Sequence, residues 1–256
     1  MIINNLVSII TPMYNSENFI TEMIESVIKQ SYENWELLIV DDCSKDNSCN
    51  IVQDFSAIDG RIKLIKHINN KGPAEARNTA IRESKGQFIA FLDSDDTWME
   101  DKLSLQLDAM KKANVPISCT AYDLFSHDLS TKYGTFEVPD HIDYKSLLKM
   151  NYFSCDTVII DKTKVKDITM VTNEKHEDYV TWLKIMKEAK TAIGINKPLA
   201  IYRLSAKSRS SNKLDGIIKR FFIYYEIEHL GLFRSLWYSF FYIIKGIIKY
   251  RKKLLN

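Results

Sequence analysis

Gly86-Gln87-Phe88-Ile89-Ala90-Phe91-Leu92-Asp93-Ser94-Asp95-Asp96 is the stretch whose reading decides the fold. Its apolar run, Phe88 to Leu92, does not alternate, so it reads as a short strand buried on both faces, as in a parallel sheet. Three carboxylates within four positions follow at once. Like charges packed that closely raise one another's pKa unless a cation sits among them. A hard divalent cation with oxygen ligands, Mn²⁺ or Mg²⁺, answers that need. The alternative is a solvated turn in which Asp95 or Asp96 caps a helix beginning near Trp98.

On the N-terminal side, the same pattern recurs. Leu6 to Pro12 is an apolar run ending in the turn Pro12-Met13-Tyr14-Asn15. Ser16 is placed to cap a helix whose apolar face carries Phe19, Ile20, Met23, Ile24, Val27 and Ile28. Trp35 to Val40 reads as a second buried strand, ending in Asp41 and Asp42, and Asp46 opens a helix with Ile51, Val52 and Phe55. Ile62 to Ile68 has the loose alternation of an outer strand. Gly72-Pro73 then opens a helix through Arg77 and Ile81, with proline at the first helical position. Short strands alternating with helices predict an α/β fold, a largely parallel sheet with helices on both faces. Such a sheet gathers its ligand beyond the carboxyl ends of the strands, where these aspartates lie. None of the eight glycines forms Gly-x-Gly, so a dinucleotide fingerprint and a phosphate loop are both missing. A bound diphosphate would need a metal held by Asp93 and Asp95 instead.

On the C-terminal side, a helix is expected from about Asp101 to Ala113 and strands over Ile117 to Tyr122 and Asp156 to Ile160. Ser126 to Asp143 reads as an irregular loop over the active face. His176-Glu177-Asp178 opens an amphipathic helix through Trp182, placing a carboxylate where it either complements the helix dipole or projects into a cleft as a general base. Leu199 to Arg203 closes the globular part.

The chain of 256 residues carries a formal charge of +2, unevenly spread. From Lys197 onward thirteen Lys/Arg face three Asp/Glu, a net of +10, which leaves −8 on the rest. The basic end points to an anionic partner, membrane surface or nucleic acid. The four cysteines show no Cys-x-x-Cys pair and suit a reducing compartment. No basic segment precedes an apolar core at the N-terminus, so no signal peptide is expected and a cytosolic chain is.

Taken together, the ordered motifs resemble glycosyltransferase family 2, the inverting nucleotide-sugar enzymes of GT-A fold. The matching pieces are Val7-Ser8-Ile9-Ile10-Thr11-Pro12-Met13-Tyr14-Asn15, Val40-Asp41-Asp42, Ala76-Arg77-Asn78, Phe91 to Asp96, Glu177-Asp178 with Trp182, and Tyr202-Arg203. The resemblance implies that Pro12 and Tyr14 frame the nucleoside, that Asp42 accepts a hydrogen bond from the base, most often uracil, and that Arg77 helps hold the nucleotide. Asp93-Ser94-Asp95 matches the family's Asp-x-Asp pair, with Asp95 the direct metal ligand and Asp93 nearer the ribose and sugar. Asp178 matches the catalytic base, and Asn15, Glu17 and His176 would be second-tier contacts. Cys43, Pro73 and Ala80 depart from the family's usual small residues. The implied organisation is a nucleotide-sugar-binding half (1–122), an acceptor and base half (123–212) and a C-terminal helical tail (213–256). The implied activity is transfer of a hexose or N-acetylhexosamine from a nucleotide donor, UDP above all, to a lipid-linked saccharide in surface-polysaccharide synthesis. The alternatives are a nucleotidyltransferase, which would show a Gly-rich N-terminal loop, and a non-catalytic partner, which would have lost Asp95 or Asp178.

In the tail, Ser235, Ser239, Tyr242, Lys245, Lys249 and Lys252 line a polar stripe, and Leu236, Trp237, Phe240, Phe241 and Ile243 fall on the rest. The charge-free run Ser235 to Ile244 is too short to span a bilayer. It suits the surface of an anionic membrane, which predicts a protein peripheral on the inner face of the cell membrane. Packing on the catalytic domain or on a second subunit of a homodimer is the alternative. The aromatics are too apolar and dense for a nucleic-acid stacking groove, so no nucleic acid is expected.

Overall fold

The computed structural model describes residues 2–172, 176–204 and 213–254, with backbone alone for 213–215 and 245–254. In chain order the elements are β1 (Ile3–Met13), α1 (Ile20–Ile28), β2 (Trp35–Asp41), α2 (Ser48–Ile58), β3 (Ile62–Lys66), α3 (Pro73–Glu83), β4 (Gly86–Phe91), β5 (Thr97–Trp98), α4 (Lys102–Ala113), β6 (Ile117–Ser126), β7 (Lys132–Phe136), β8 (His141–Asp143), α5 (Tyr144–Lys149), β9 (Ile159–Asp161), α6 (Glu177–Ala189), β10 (Thr191–Leu204), α7 (Lys213–Phe222) and α8 (Leu232–Leu254). A 3₁₀ turn, Cys155–Thr157, precedes β9, and a π-helical turn, Ile223–Ile227, follows α7.

One sheet runs β3-β2-β1-β4-β9-β6-β10-β5, with β7 on β6 and β8 on β10. The four strands β3, β2, β1 and β4 are all parallel, as their non-alternating apolar runs require. β9 then enters antiparallel between β4 and β6, while β6 and β10 pair in parallel. The architecture is the expected GT-A arrangement, with the carboxyl ends of β1, β2 and β4 at one edge. Gly86 is needed where β4 starts: a Cβ there would lie 2.5 Å from the Leu6 carbonyl oxygen. α3 begins at Pro73 behind Gly72, whose φ of +84° suits glycine alone.

Four expectations are corrected. Ser16 does not cap α1; the helix starts at Ile20, and the Ser16 hydroxyl instead bonds the Ser94 hydroxyl at 2.7 Å. No helix begins near Trp98: Thr97–Trp98 pairs with β10, and α4 starts at Lys102 after Asp101. Within Ser126 to Asp143, Lys132–Phe136 folds back on β6 as β7, its lysine and threonine held by Asp123, and His141–Asp143 pairs with β10. Cross-strand partners stabilise these short polar strands, a signal that local periodicity lacks.

The tail is the fourth. It is no separate unit, because Ile223 and Tyr224 are buried in the main core and α8 packs on α5. Glu228 ties it down, accepting from the Tyr144 hydroxyl and pairing with Lys187 at 2.8 Å. Its facing is the reverse of a helix with the polar stripe outward. Ser235 and Ser239 are buried, whereas Leu236, Trp237 and Phe240 are each more than half exposed. Small seryl side chains let the helix approach the domain closely, and the Ser235 hydroxyl is satisfied by the Gly231 carbonyl at 2.8 Å. The lysine side chains of the expected stripe, Lys245, Lys249 and Lys252, lie outside the described residues.

Candidate active site

Where β1, β2 and β4 end, a cleft of about 1090 Å³ opens. Pro12, Tyr14, Asp42, Arg77, Asp93, Ser94, Asp95 and Asp178 all line it. Asn15 and Glu17 do not. The Asn15 carboxamide accepts from the Lys45 amide and the Glu17 carboxylate from the Asn47 amide, so both fasten the loop after β1 to the loop after β2.

Asp42, at the end of β2, is buried, and its oxygens accept from the Lys71 and Gly72 amides at 2.8 and 2.7 Å. His67 Nδ1 lies 2.8 Å from the same carboxylate while its Nε2 lies 2.9 Å from the Thr79 hydroxyl. That pairing fixes the imidazole and aims the carboxylate at the cleft. His67 was not legible as a site residue, since a lone histidine on an outer strand carries no spacing signal. Cys43, next in chain, has φ of +70°, the left-handed region glycine prefers, and its thiol donates to the His67 carbonyl. The departure from the family's usual residue therefore falls where the backbone feels it.

The acidic cluster after β4 has two layers. Asp93 and Asp95 face the cleft, and Arg77 reaches from α3 to ion-pair with Asp93. Burial lowers the Arg77 pKa, but Asp93, with Cys155 and Asp178 adding to it, brings the net shift upward. Asp95 is raised by burial and by the Asp93 charge. Beneath them Asp96 and Asp156 are fully enclosed. Asp156 accepts from the Asp93 amide at 2.8 Å, and Asp96 accepts from the Arg203 amide at 2.8 Å. Burial raises both, the Asp156 charge adding to it at Asp96 and the Asp93 charge at Asp156, so this pair retains a proton where isolated carboxyls would have lost theirs. Carboxylate oxygens of Asp93, Asp96 and Asp156 lie within 4.8 Å of one another. Because Asp96 and Asp156 are engaged by backbone amides, Asp93 and Asp95 are the carboxylates placed to meet a ligand. Lys102 lies deeper, wholly buried, with its ammonium 2.6 Å from the Gln106 carboxamide oxygen and 4.0 Å from the Trp98 ring centroid. Burial brings its pKa down to about 7.

Asp178 stands in the first turn of α6, half-buried at the cleft wall. Long-range packing sets that helix. Trp182, one turn on, meets Phe91 of β4 edge-on at 5.4 Å, tying α6 to the strand that leads into the acidic cluster. Asn78 of α3 clamps the Met170 backbone through both its amide groups. Tyr202 of β10, Cys155 and Lys219 complete the far wall. Asp156, Cys155 and Lys219 gave no motif to read, since each reaches the site from a segment without one.

A cleft at the strand ends of a GT-A sheet, with a buried aspartate after β2, an Asp-x-Asp pair after β4 and a separate carboxylate on a following helix, fits a nucleotide-sugar transferase site. The glycosyl transferase family 2 model matches residues 8–180, and the chain belongs to that family. It is 39% identical over 246 residues, 96% of this chain and 97% of the relative, to TuaG of Bacillus subtilis (strain 168), a glycosyltransferase assigned to teichuronic acid biosynthesis. It is 41% identical over 246 residues, 96% and 95% of the two chains, to WfgD of Escherichia coli, a UDP-Glc:α-D-GlcNAc-diphosphoundecaprenol β-1,3-glucosyltransferase. Among solved structures, S. aureus TarS 1–349 in complex with UDP-GlcNAc superposes with a TM-score of 0.70 at 23% identity, over 86% of this chain and 66% of that one. The mannosyltransferase PcManGT of Pyrobaculum calidifontis, in complex with GDP-Man and Mn²⁺, gives 0.63 at 19% identity, over 84% and 60%. These two likenesses concern the fold. Family membership sets aside the nucleotidyltransferase reading.

Proposed function

We propose that this glycosyltransferase moves a hexose or N-acetylhexosamine from a UDP donor, with inversion, to a hydroxyl of a diphosphate-lipid-linked saccharide in surface-polysaccharide synthesis. The observation that carries the reading is the convergence of Asp42, Asp93, Asp95, Arg77 and Asp178 on one cleft. The activities of these relatives support the donor and acceptor classes.

In this reading Pro12 and Tyr14 flank the nucleoside and Asp42 accepts from the base. Its carboxylate is held by two backbone amides and His67, so little reorganisation accompanies binding. Asp178 takes the acceptor proton as the hydroxyl oxygen attacks the anomeric carbon from the face opposite the diphosphate. The bond to the diphosphate breaks, UDP departs with the electron pair, and an α-linked donor gives a β-linked product. One base suffices for a single displacement. The crowded, pKa-raised Asp95 beside Asp93 fits a divalent cation, Mn²⁺ or Mg²⁺. When bound, that ion would neutralise charge developing on the leaving diphosphate.

The aromatic face of α8, Trp237 with Phe240 and Leu236, is the surface placed to lie on a membrane, with the enzyme peripheral on its inner face. No described helix is long and apolar enough to cross a membrane.

The test is UDP release from a panel of UDP-sugars with Mn²⁺, with and without polyprenyl-diphosphate saccharide. Acceptor-stimulated release that EDTA abolishes is the expected outcome; release of inorganic diphosphate instead would sink the reading.

A further inference from the structure

The cleft is acidic where the donor is expected, and at the end marked by Asp178 positive charge joins the carboxylates of Glu177 and Asp178. Two successive residues of α7 supply the positive charge. Lys219 lines the cleft wall together with His176 and Asp178. Arg220, next in chain, is 95% enclosed, since only 5% of its surface is exposed. Its guanidinium carbon sits 3.4 Å from the ring centroid of Tyr179, the residue after Asp178, and 4.6 Å from that of Tyr242. Its guanidinium also donates to the Tyr179 and Tyr242 hydroxyls, while its Nε and Nη1 have no hydrogen-bond partner among the described residues.

A buried guanidinium without a counter-charge is costly, and ring stacking offsets only part of that cost. The arrangement is stable when an anion completes it. His176, on the cleft wall, has its pKa lowered first by burial and then by Arg220, with Asp178 working against the smaller effect of Lys219. The donor's diphosphate is not the natural occupant, because Asp93 and Asp95 mark its place. An acceptor saccharide linked to a lipid diphosphate puts its anionic group one sugar ring away from the hydroxyl that meets Asp178. On α7 itself, Ile218 and Phe222 are exposed one turn apart, on the face that leads away from Arg220 toward solvent.

We infer that Lys219 and Arg220 form the subsite for the acceptor's diphosphate, with Lys219 at the wall contacting it and Arg220 supplying charge from behind. This rests on the proposed lipid-linked acceptor and names the groups of this chain that would select it over an uncharged glycoside. The first residues of the tail thus belong to the catalytic cleft, and stacking on Tyr179 fastens the anion subsite to the helix that carries the base.

The experiment measures affinity by calorimetry, with UDP and Mn²⁺ saturating, for two probes. One is N-acetylglucosamine α-linked through a diphosphate to an undecyl chain; the other is octyl N-acetyl-α-glucosaminide. Wild type is expected to bind the diphosphate probe at least tenfold more tightly. In Lys219→Ala that ratio falls to near one, Arg220→Gln lowers it as well, and Lys219→Arg keeps it, while UDP affinity moves less than threefold. Should Arg220→Gln fail to fold, the lysine pair decides alone. A preference that survives in Lys219→Ala overturns the subsite and leaves the lipid-linked reading standing. No preference in wild type removes that reading and the subsite with it. A parallel loss of UDP affinity assigns the charge to the donor and likewise overturns the subsite.

Discussion

The two walls of the cleft are built on different principles. The donor wall is made of strand ends: Pro12, Asp42 and Asp93 each end or follow a buried parallel strand, so neighbours in the sheet bring them together. The wall carrying Asp178 and Lys219 comes from helices whose positions depend on side chains far away in sequence, Phe91 on Trp182 and Tyr179 on Arg220. The first wall is acidic and backbone-braced; the second carries both signs of charge and is braced by aromatic rings. In the proposed reading, the groups that hold the donor lie on the sheet and the base lies on a helix. The proposed acceptor groups lie on the helices as well, where loops and packing vary more freely.

Four changes probe this contrast, in order of falling effect. Asp95→Ala is expected to reduce transfer below detection while leaving the fold intact, because it removes a repulsion and no core contact; UDP affinity should also lose its response to Mn²⁺. Activity near wild type in excess EDTA would break the assignment. Asp178→Asn should lower turnover by roughly two to four orders of magnitude with UDP affinity nearly unchanged. A larger loss from Glu177→Gln would move the base by one position. Trp237→Glu combined with Phe240→Glu should cut flotation with anionic liposomes at least tenfold and spare transfer to a soluble acceptor. Equal flotation of both proteins would place the membrane contact elsewhere.

The smallest effect lies beneath the donor wall. Lys102 has a folded-state pKa of about 7 against an ordinary 10.5. The unfolded chain therefore binds a proton between those values that the folded chain does not. Stability from this group is present at high pH and lost as pH falls through 7, with a limiting slope of about 1.4 kcal/mol per pH unit. Lys102→Met should flatten the rise in stability from pH 7.5 to 9.5, read by urea unfolding; an unchanged slope would show that another group titrates there.

The donor wall was legible because its signals are local. Non-alternating runs ending in aspartate define strand and ligand position at once, and Gly72-Pro73 marks the start of α3 in the same few residues. The remainder was not local. β7 is recognisable as a strand only through its partner β6, and Ser16 turned from α1 toward Ser94 because that hydroxyl stands across the sheet end. Asp156 is an ordinary turn acid until the fold buries it under Asp93. In the tail, amphipathicity revealed two faces without saying which one the domain covers. Burial of Ser235 and Ser239 decides that, and a hydrophobic pattern by itself points the other way.

The antiparallel entry of β9 has a consequence for how the chain comes to be folded. β4 carries the acidic cluster, yet its outer edge is paired only when residues 159–161 arrive, with Phe88 meeting Asp161. Closing so long a segment is entropically slow, and contacts of that separation form late. During synthesis the first four strands can assemble while the apolar edge of β4 still lacks a neighbour, which makes it a template for another nascent chain. Aggregation of this protein should therefore nucleate at the centre of its sheet, in the interval between emergence of β4 and emergence of β9.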